Sequence, residues 1–178
     1  VPELQEREPT VREILNALAS TLGTSRSSLG APEFPPTLPG VCAEDLGFLL
    51  TVKSEQALTT GDPGLIERLV TNLVDNAMKY NVTQGRVNVA TSTKSGRAVL
   101  SVSNTGPWVP ATETNRLLQP FQRLGTNRTR HDGGYGLGLS IVQAIATAHN
   151  ANIATTPRPT GGLEITVTFP ATPPDRLR

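Results

Sequence analysis

The segment RLVTNLVDNAMKY, Arg68 to Tyr80, sets Asn72 and Asn76 four residues apart, with Lys79 and Tyr80 roughly one turn further on. On a helix, Asn72, Asn76 and Lys79 fall within roughly 60° of one another. Asparagine is a middling to poor helix former, so the pair asks for a reason. Carboxamide oxygens are hard ligands that suit Mg²⁺, an ion that usually also takes phosphate oxygens. Lysine meets a phosphate as a point charge, and a tyrosine ring offers a face to a base. The alternative for the pair alone is plain solvation on a helix flank.

Three further stretches carry compatible chemistry. In GGYGLGLSIV, Gly133 to Val142, the glycines Gly134, Gly136 and Gly138 alternate directly before a helical pattern. Glycine allows close backbone approach, and a helix N-terminus offers free N–H groups to phosphate. From Thr114 to His131 there are four arginines, Arg116, Arg123, Arg128 and Arg130, and no acid. This segment reads either as a mobile lid over polyphosphate, with Gly125 to Asp132 as its moving part, or as an ordinary solvated loop. In SNTGPWVP, Ser103 to Pro110, a strand ends in an abrupt Gly106-Pro107 turn, and Asn104 at its end would face a bound base.

These residues need elements to hold them. Asp62-Pro63 reads as a helix start, a cap followed by a first-turn proline. In the helix that follows, Leu65, Ile66, Leu69, Val70, Leu73, Val74, Ala77 and Met78 form the expected buried stripe, which Asn72, Asn76 and Lys79 flank. Gly138 to His149 is a second such helix, with Leu139, Val142, Ile145 and Ala146 inward. Thr10 to Gly23 is a third, opened by the Thr10/Glu13 capping box. Phe48 to Lys53, Arg86 to Thr93, Arg97 to Ser103, Asn152 to Thr156 and Leu163 to Phe169 read as strands. Lys94-Ser95-Gly96 is a hairpin turn. Residues 24–47 read as irregular loop and 171–178 as a polar tail, leaving residues 1–170 as one domain. Helices interleaved with antiparallel hairpins predict an α/β two-layer sandwich: one sheet, with three helices on one face.

Composition agrees with this. The 178 residues suffice for one cored domain. With 4% aromatics, that core must come from aliphatic side chains. A net charge of +1 implies no general affinity for nucleic acid or membrane. The single cysteine, Cys42, excludes an internal disulfide and suits a reducing compartment. Val1 is not a natural start, so a longer chain is expected.

In this order the pieces resemble the ATP-binding domain of sensor histidine kinases, in the GHKL superfamily with DNA gyrase, MutL and the heat-shock chaperones. NLVDNAMKYN is similar to the family's N box, NTGPWVP to its G1 box, PFQRL (Pro120 to Leu124) to its F box and GYGLGLSIV to its G2 box. The resemblance covers roughly residues 8–170. It implies the Bergerat fold, with a mixed, mostly antiparallel sheet. It implies Mg-ATP as cofactor, with Asn76 as metal ligand and Asn72 assisting metal or phosphate. Lys79 is then the phosphate lysine, Tyr80 stacks on adenine, and Arg123 is the basic residue of the F box. Gly134, Tyr135, Gly136, Leu137, Gly138 and Leu139 enclose the triphosphate. Gly106 belongs to the base-binding turn, and Asn104 stands where the family has an adenine-reading aspartate.

The activity implied is transfer of the γ-phosphate to a histidine on a separate dimerisation domain, and then indirectly to a response regulator. Neither His131 nor His149 has the context of that acceptor. The resemblance further implies a cytoplasmic domain, anchored in the inner membrane only through another part of the chain. Superfamily members that hydrolyse ATP carry a glutamate at position 72; Asn72 cannot act as a base, which suits transfer without hydrolysis. Two departures stand out. Asn104 replaces the aspartate; its carboxamide can accept from adenine or flip and donate to guanine, so weak discrimination is expected and Asn104→Asp should favour ATP. Trp108 replaces a glycine, as either a packing or a docking residue. The competing readings are a degenerate nucleotide-sensing or protein-binding module and an anti-sigma-factor-type serine kinase.

Overall fold

The computed structural model describes residues 37–43, 48–55, 57–120 and 137–171. The expected Thr10–Gly23 helix and the whole of residues 121–136 lie outside them. Six strands form one sheet: β1 (Thr37–Ala43), β2 (Phe48–Ser54), β3 (Arg86–Lys94), β4 (Arg97–Asn104), β5 (Asn152–Pro157) and β6 (Leu163–Ala171), in the order β1-β2-β3-β4-β6-β5. Among the described residues only β2 and β3 pair in parallel, and every other neighbour pair is antiparallel. A parallel pair needs a crossover, and helix α1 (Pro63–Lys79) supplies it. Helix α2 (Gly138–Ala148) connects β4 to β5 after a short 3-10 turn at Thr114–Leu118.

Local chemistry sets these elements. The Asp62 side chain accepts from the Leu65 N–H at 2.9 Å and caps α1, with Pro63 following it. Between β3 and β4, Ser95 and Gly96 both have positive φ (50° and 73°), the conformation a tight hairpin requires. Helix α2 ends without glycine. Asn150 takes the left-handed conformation (φ 52°), and the Ala151 N–H reaches back to the Ala146 carbonyl at 2.8 Å.

The core lies between one sheet face and both helices. Leu50, Val87, Leu100, Val167 and Phe169 of the sheet meet Ile66, Leu69, Val70 and Leu73 of α1 and Val142 and Ala146 of α2. On β4 and β6 the residues facing away from this core include Ser101, Ser103, Glu164, Thr166 and Thr168, all half-buried, and Ser101 donates to Glu164 at 2.9 Å. The expected two-layer sandwich is therefore present, with two helices on its packed face among the described residues.

Three expectations change. Within the segment read as loop, Thr37–Ala43 is strand β1, an edge strand with a register shift between Leu38 and Val41. Strand β6 runs to Ala171, one residue into the expected tail. Leu65, placed in the buried stripe, is 40% exposed. Around the helix axis it lies within roughly 20° of Asn72 and Asn76, so it belongs to their flank.

His149 joins the two helices. It is 9% exposed. Its Nε2 accepts from the Asp62 N–H at 3.1 Å, which leaves Nδ1 to donate to the Ile145 carbonyl at 2.8 Å. The ring meets Phe169 edge-on, and a Cβ at Gly61 would collide with it. His149→Ala is expected to cost about 2–3 kcal/mol, from two lost hydrogen bonds and a cavity. Urea unfolding measures it; a loss below about 0.5 kcal/mol, the range of a neutral surface change, would mean that this contact does not hold the helices together.

Candidate functional site

The flank of α1 and the start of α2 come together. The Asn72 amide donates to the Arg68 carbonyl at 2.8 Å, which leaves its Oδ1 uncommitted. That oxygen lies 3.8 Å from where a Cβ on Gly138 would stand. The N-cap residue Leu137 makes no side-chain capping bond, so among the described residues the leading N–H groups of α2 stay available to an anion beside Asn72. One turn along α1, the half-buried Asn76 side chain makes no hydrogen bond among the described residues. Two carboxamides thus share this flank of α1, the Asn72 oxygen beside the start of α2, a donor set whose chemistry fits a hard cation. Asp75, on the same helix, has its carboxyl raised above its ordinary value by partial burial.

Lys79 and Tyr80 close α1. Both are exposed, with the Lys79 ammonium 5.9 Å from the centre of the Tyr80 ring. Leu137 is exposed at the start of α2, whereas the Leu139 side chain is buried in the core. Only the backbone of Leu139 is therefore left to face a ligand. Arg123, Gly134, Tyr135 and Gly136 lie outside the described residues, as do His131 and the expected lid.

At this same C-terminal end of α1 sits the turn after β4. Asn104 is 6% exposed. Its Nδ2 lies 2.7 Å from the Thr105 carbonyl and 3.4 Å from the Tyr80 carbonyl. Both neighbours are acceptors, so only the NH₂ can face them, and the orientation of the carboxamide follows. The Oδ1 is left as an acceptor, and the flip that would offer a donor to guanine is opposed. A Cβ on Gly106 would come within 2.7 Å of the Tyr80 carbonyl and 3.1 Å of Asn104 Nδ2, so the turn closes only with glycine there. Trp108 is 71% exposed while Val109 is buried; the packing role for this tryptophan is not seen.

Two residues that sequence reasoning passed over hold this turn. Asn81 Oδ1 accepts from the Thr105 hydroxyl at 2.6 Å and from the Val82 N–H at 3.0 Å. The Thr105 hydroxyl in turn accepts from the Arg86 N–H at 2.7 Å. No periodicity signals such a contact, because its partners are 24 residues apart.

Residues 61–173 match the family described as histidine kinase-, DNA gyrase B- and HSP90-like ATPase. The sensor protein CutS of Streptomyces coelicolor is 50% identical over 129 residues, which is 72% of this chain and 31% of that protein. The sensor histidine kinase YkoH of Bacillus subtilis is 35% identical over 133 residues, 75% of this chain and 28% of that protein. The chain thus spans about a third of the relatives it matches. Among solved structures, the mycobacterial sensor histidine kinase MprB superposes with a TM-score of 0.61 at 26% identity, covering 71% of this chain and 84% of that one. The catalytic domain of histidine kinase ThkA, nucleotide free, gives 0.61 at 26% identity over 75% and 85%.

Proposed function

Because this chain belongs to the histidine kinase-, DNA gyrase B- and HSP90-like ATPase family, we propose that it is the Mg-ATP-binding catalytic part of a sensor histidine kinase, with residues 1–170 as that domain. The observation that carries the reading is the uncapped start of α2 beside the free oxygen of Asn72. Asn76 and Asn72 would hold Mg²⁺, and the N–H groups at Gly138 and Leu139 would receive phosphate oxygens. When bound, the ion supplies charge neutralisation on the polyphosphate, in a reaction that is mostly positioning and electrostatics. Lys79 adds a positive charge. Asn104 accepts from the adenine amino group, with Tyr80 beside it, its carbonyl facing the Asn104 amide.

Asn72 leaves water unactivated, because a carboxamide cannot serve as a base. A neutral imidazole needs no such base, so the acceptor is a histidine, carried on a dimerisation domain, with a response regulator downstream. Basic residues of the lid, Arg123 among them, complete the site in this reading. The domain would work in the cytoplasm. Among the described residues no helix is long and apolar enough to cross a membrane, and inner-membrane anchoring would come from elsewhere in a longer protein.

The test is calorimetry and phosphoryl transfer on one preparation. The chain is expected to bind Mg-ATP, to leave itself unlabelled by γ-phosphate-labelled ATP, and to label an added acceptor domain from its own kinase with an acid-labile phosphate. Both ring nitrogens of His149 are engaged within the fold, so it offers no nucleophile. Failure to bind Mg-ATP overturns the reading; acid-stable label on the acceptor points instead to a serine kinase, and label on His149 contradicts its structural role.

A further inference from the structure

The end of α1 and the start of β3 hold the base-binding turn from one side. Tyr80 and Asn81, the two residues after α1, grip Asn104 and Thr105, the last residue of β4 and its neighbour. Asn81 takes the Thr105 hydroxyl, Thr105's own carbonyl takes the Asn104 amide, and the Tyr80 carbonyl stands at 3.4 Å from the same amide. The Thr105 N–H also donates to the Arg86 carbonyl at 2.9 Å, so residue 105 is fixed to the start of β3 from both backbone and side chain. Space is as tight as the bonding. A Cβ on Gly85 would strike both Asn81 Oδ1 and the Thr105 hydroxyl. The Oδ1 of Asn81 accepts both of its bonds, and its Nδ2 is buried without a partner among the described residues.

We infer that Asn81 and Thr105 are a positioning pair, which fixes the base-reading carboxamide of Asn104 relative to the helix carrying Asn72, Asn76 and Lys79. The inference rests on the nucleotide-binding reading above and deepens it. Neither residue touches the ligand. Their effect passes through the Thr105 carbonyl, which sets where the amide of Asn104 points and so which base its oxygen meets. In this reading a nucleotide runs along the C-terminal half of α1, with its phosphates beside Asn72 and the start of α2 and its base at the turn after β4. The Asn81–Thr105 bond and the Thr105 carbonyl then help to set the distance between its two recognition points, together with the bonds from Thr105 to Arg86.

The test compares Thr105→Val, which keeps shape and removes the hydroxyl, with Asn81→Ala, which removes the acceptor, the double variant, and Thr105→Ser. Dissociation constants for Mg-ATP and Mg-GTP are measured by calorimetry on the 178-residue chain, and folding is checked by circular dichroism. Each of the first two variants is expected to weaken Mg-ATP by roughly three- to tenfold, the size of one lost hydrogen bond. Each should also narrow the gap between ATP and GTP. The double variant should fall clearly short of the sum of the two single ones, since they share the Asn81–Thr105 bond although each also loses one backbone partner of its own, Val82 or Arg86, and Thr105→Ser should stay within about twofold of wild type. Should Thr105→Val fail to fold, Asn81→Ala carries the same comparison from a half-buried loop position.

An unchanged ATP-to-GTP ratio in folded variants, or effects that add in the double variant, would overturn the positioning role and leave a structural contact only. A wild-type chain that binds no Mg-ATP overturns the nucleotide-binding reading itself, and this inference with it.

Discussion

Replacing Asn76 with alanine is expected to weaken Mg-ATP binding by at least 10- to 100-fold while leaving stability within about 0.5 kcal/mol of wild type. The two halves of this expectation have separate grounds. The Asn76 side chain is half-buried on the flank of α1 and makes no hydrogen bond within the described residues, so its loss breaks nothing in the fold. Alanine is also the better helix former. A metal ligand is another matter: even outer-shell partners of a metal are typically worth 10- to 100-fold in affinity, and a direct ligand is worth no less. Calorimetry with and without chelator separates the effects. Chelation should weaken the wild type down to the level of the variant and change the variant little. Equal affinities of the two proteins in the presence of Mg²⁺ would remove Asn76 from the site.

The second large effect is at Asn104, and the structure reverses its expected direction. On sequence alone an aspartate there should improve adenine selection, by replacing a neutral acceptor with a charged one. In the folded chain one terminal atom of the side chain faces the Thr105 carbonyl at 2.7 Å and the Tyr80 carbonyl at 3.4 Å. As an NH₂ it donates; as a carboxylate oxygen it would oppose two carbonyl oxygens in a site only 6% exposed. Asn104→Asp is therefore expected to lower stability by about 1–3 kcal/mol, the usual penalty for a buried polar mismatch, and not to tighten ATP. Protonation would restore a donor, so the deficit should shrink as pH falls towards about 4, the ordinary aspartate value. Denaturant midpoints at neutral and acid pH, with ATP titrations alongside, measure both. Tighter ATP binding at undiminished stability would show that the amide is not held by the carbonyls.

Much of this fold could be read from local chemistry. Asp62-Pro63, the stripe of α1 and the Ser95-Gly96 turn are local signals, and each element stands where its signal lies. Strand β1 was hidden by its own composition. Pro39 and Gly40 argue for a loop, yet an edge strand tolerates a proline, and the irregularity falls at those two residues, between Leu38 and Val41. Leu65 has the side chain of a core residue but the azimuth of the asparagines, and on this helix the angle decides its exposure. For the site, residue types single out the carboxamides and Gly138, the first residue of α2. They did not suffice for the direction of the Asn104 amide, since both of its partners are backbone carbonyls. A carbonyl has no residue type to read. The same limit hid Thr105 and Asn81, whose contact exists only once β4 lies beside the end of α1.

The turn after β4 also leans on the far end of the chain. The Gly162 N–H donates to the Pro107 carbonyl at 3.0 Å, Gly162 has φ 92°, and any side chain there would collide with the Asn104 carbonyl. Asn104 itself pairs with Leu163 across β4 and β6. On the ribosome, where residues emerge in order, α1 and the β3–β4 hairpin are complete long before that support exists. A nascent chain halted ahead of Gly161 carries its phosphate-side residues but an unbraced base-reading strand, with β4 as a bare edge. Under the proposed function, base selection would therefore wait until the β5–β6 hairpin has closed on β4.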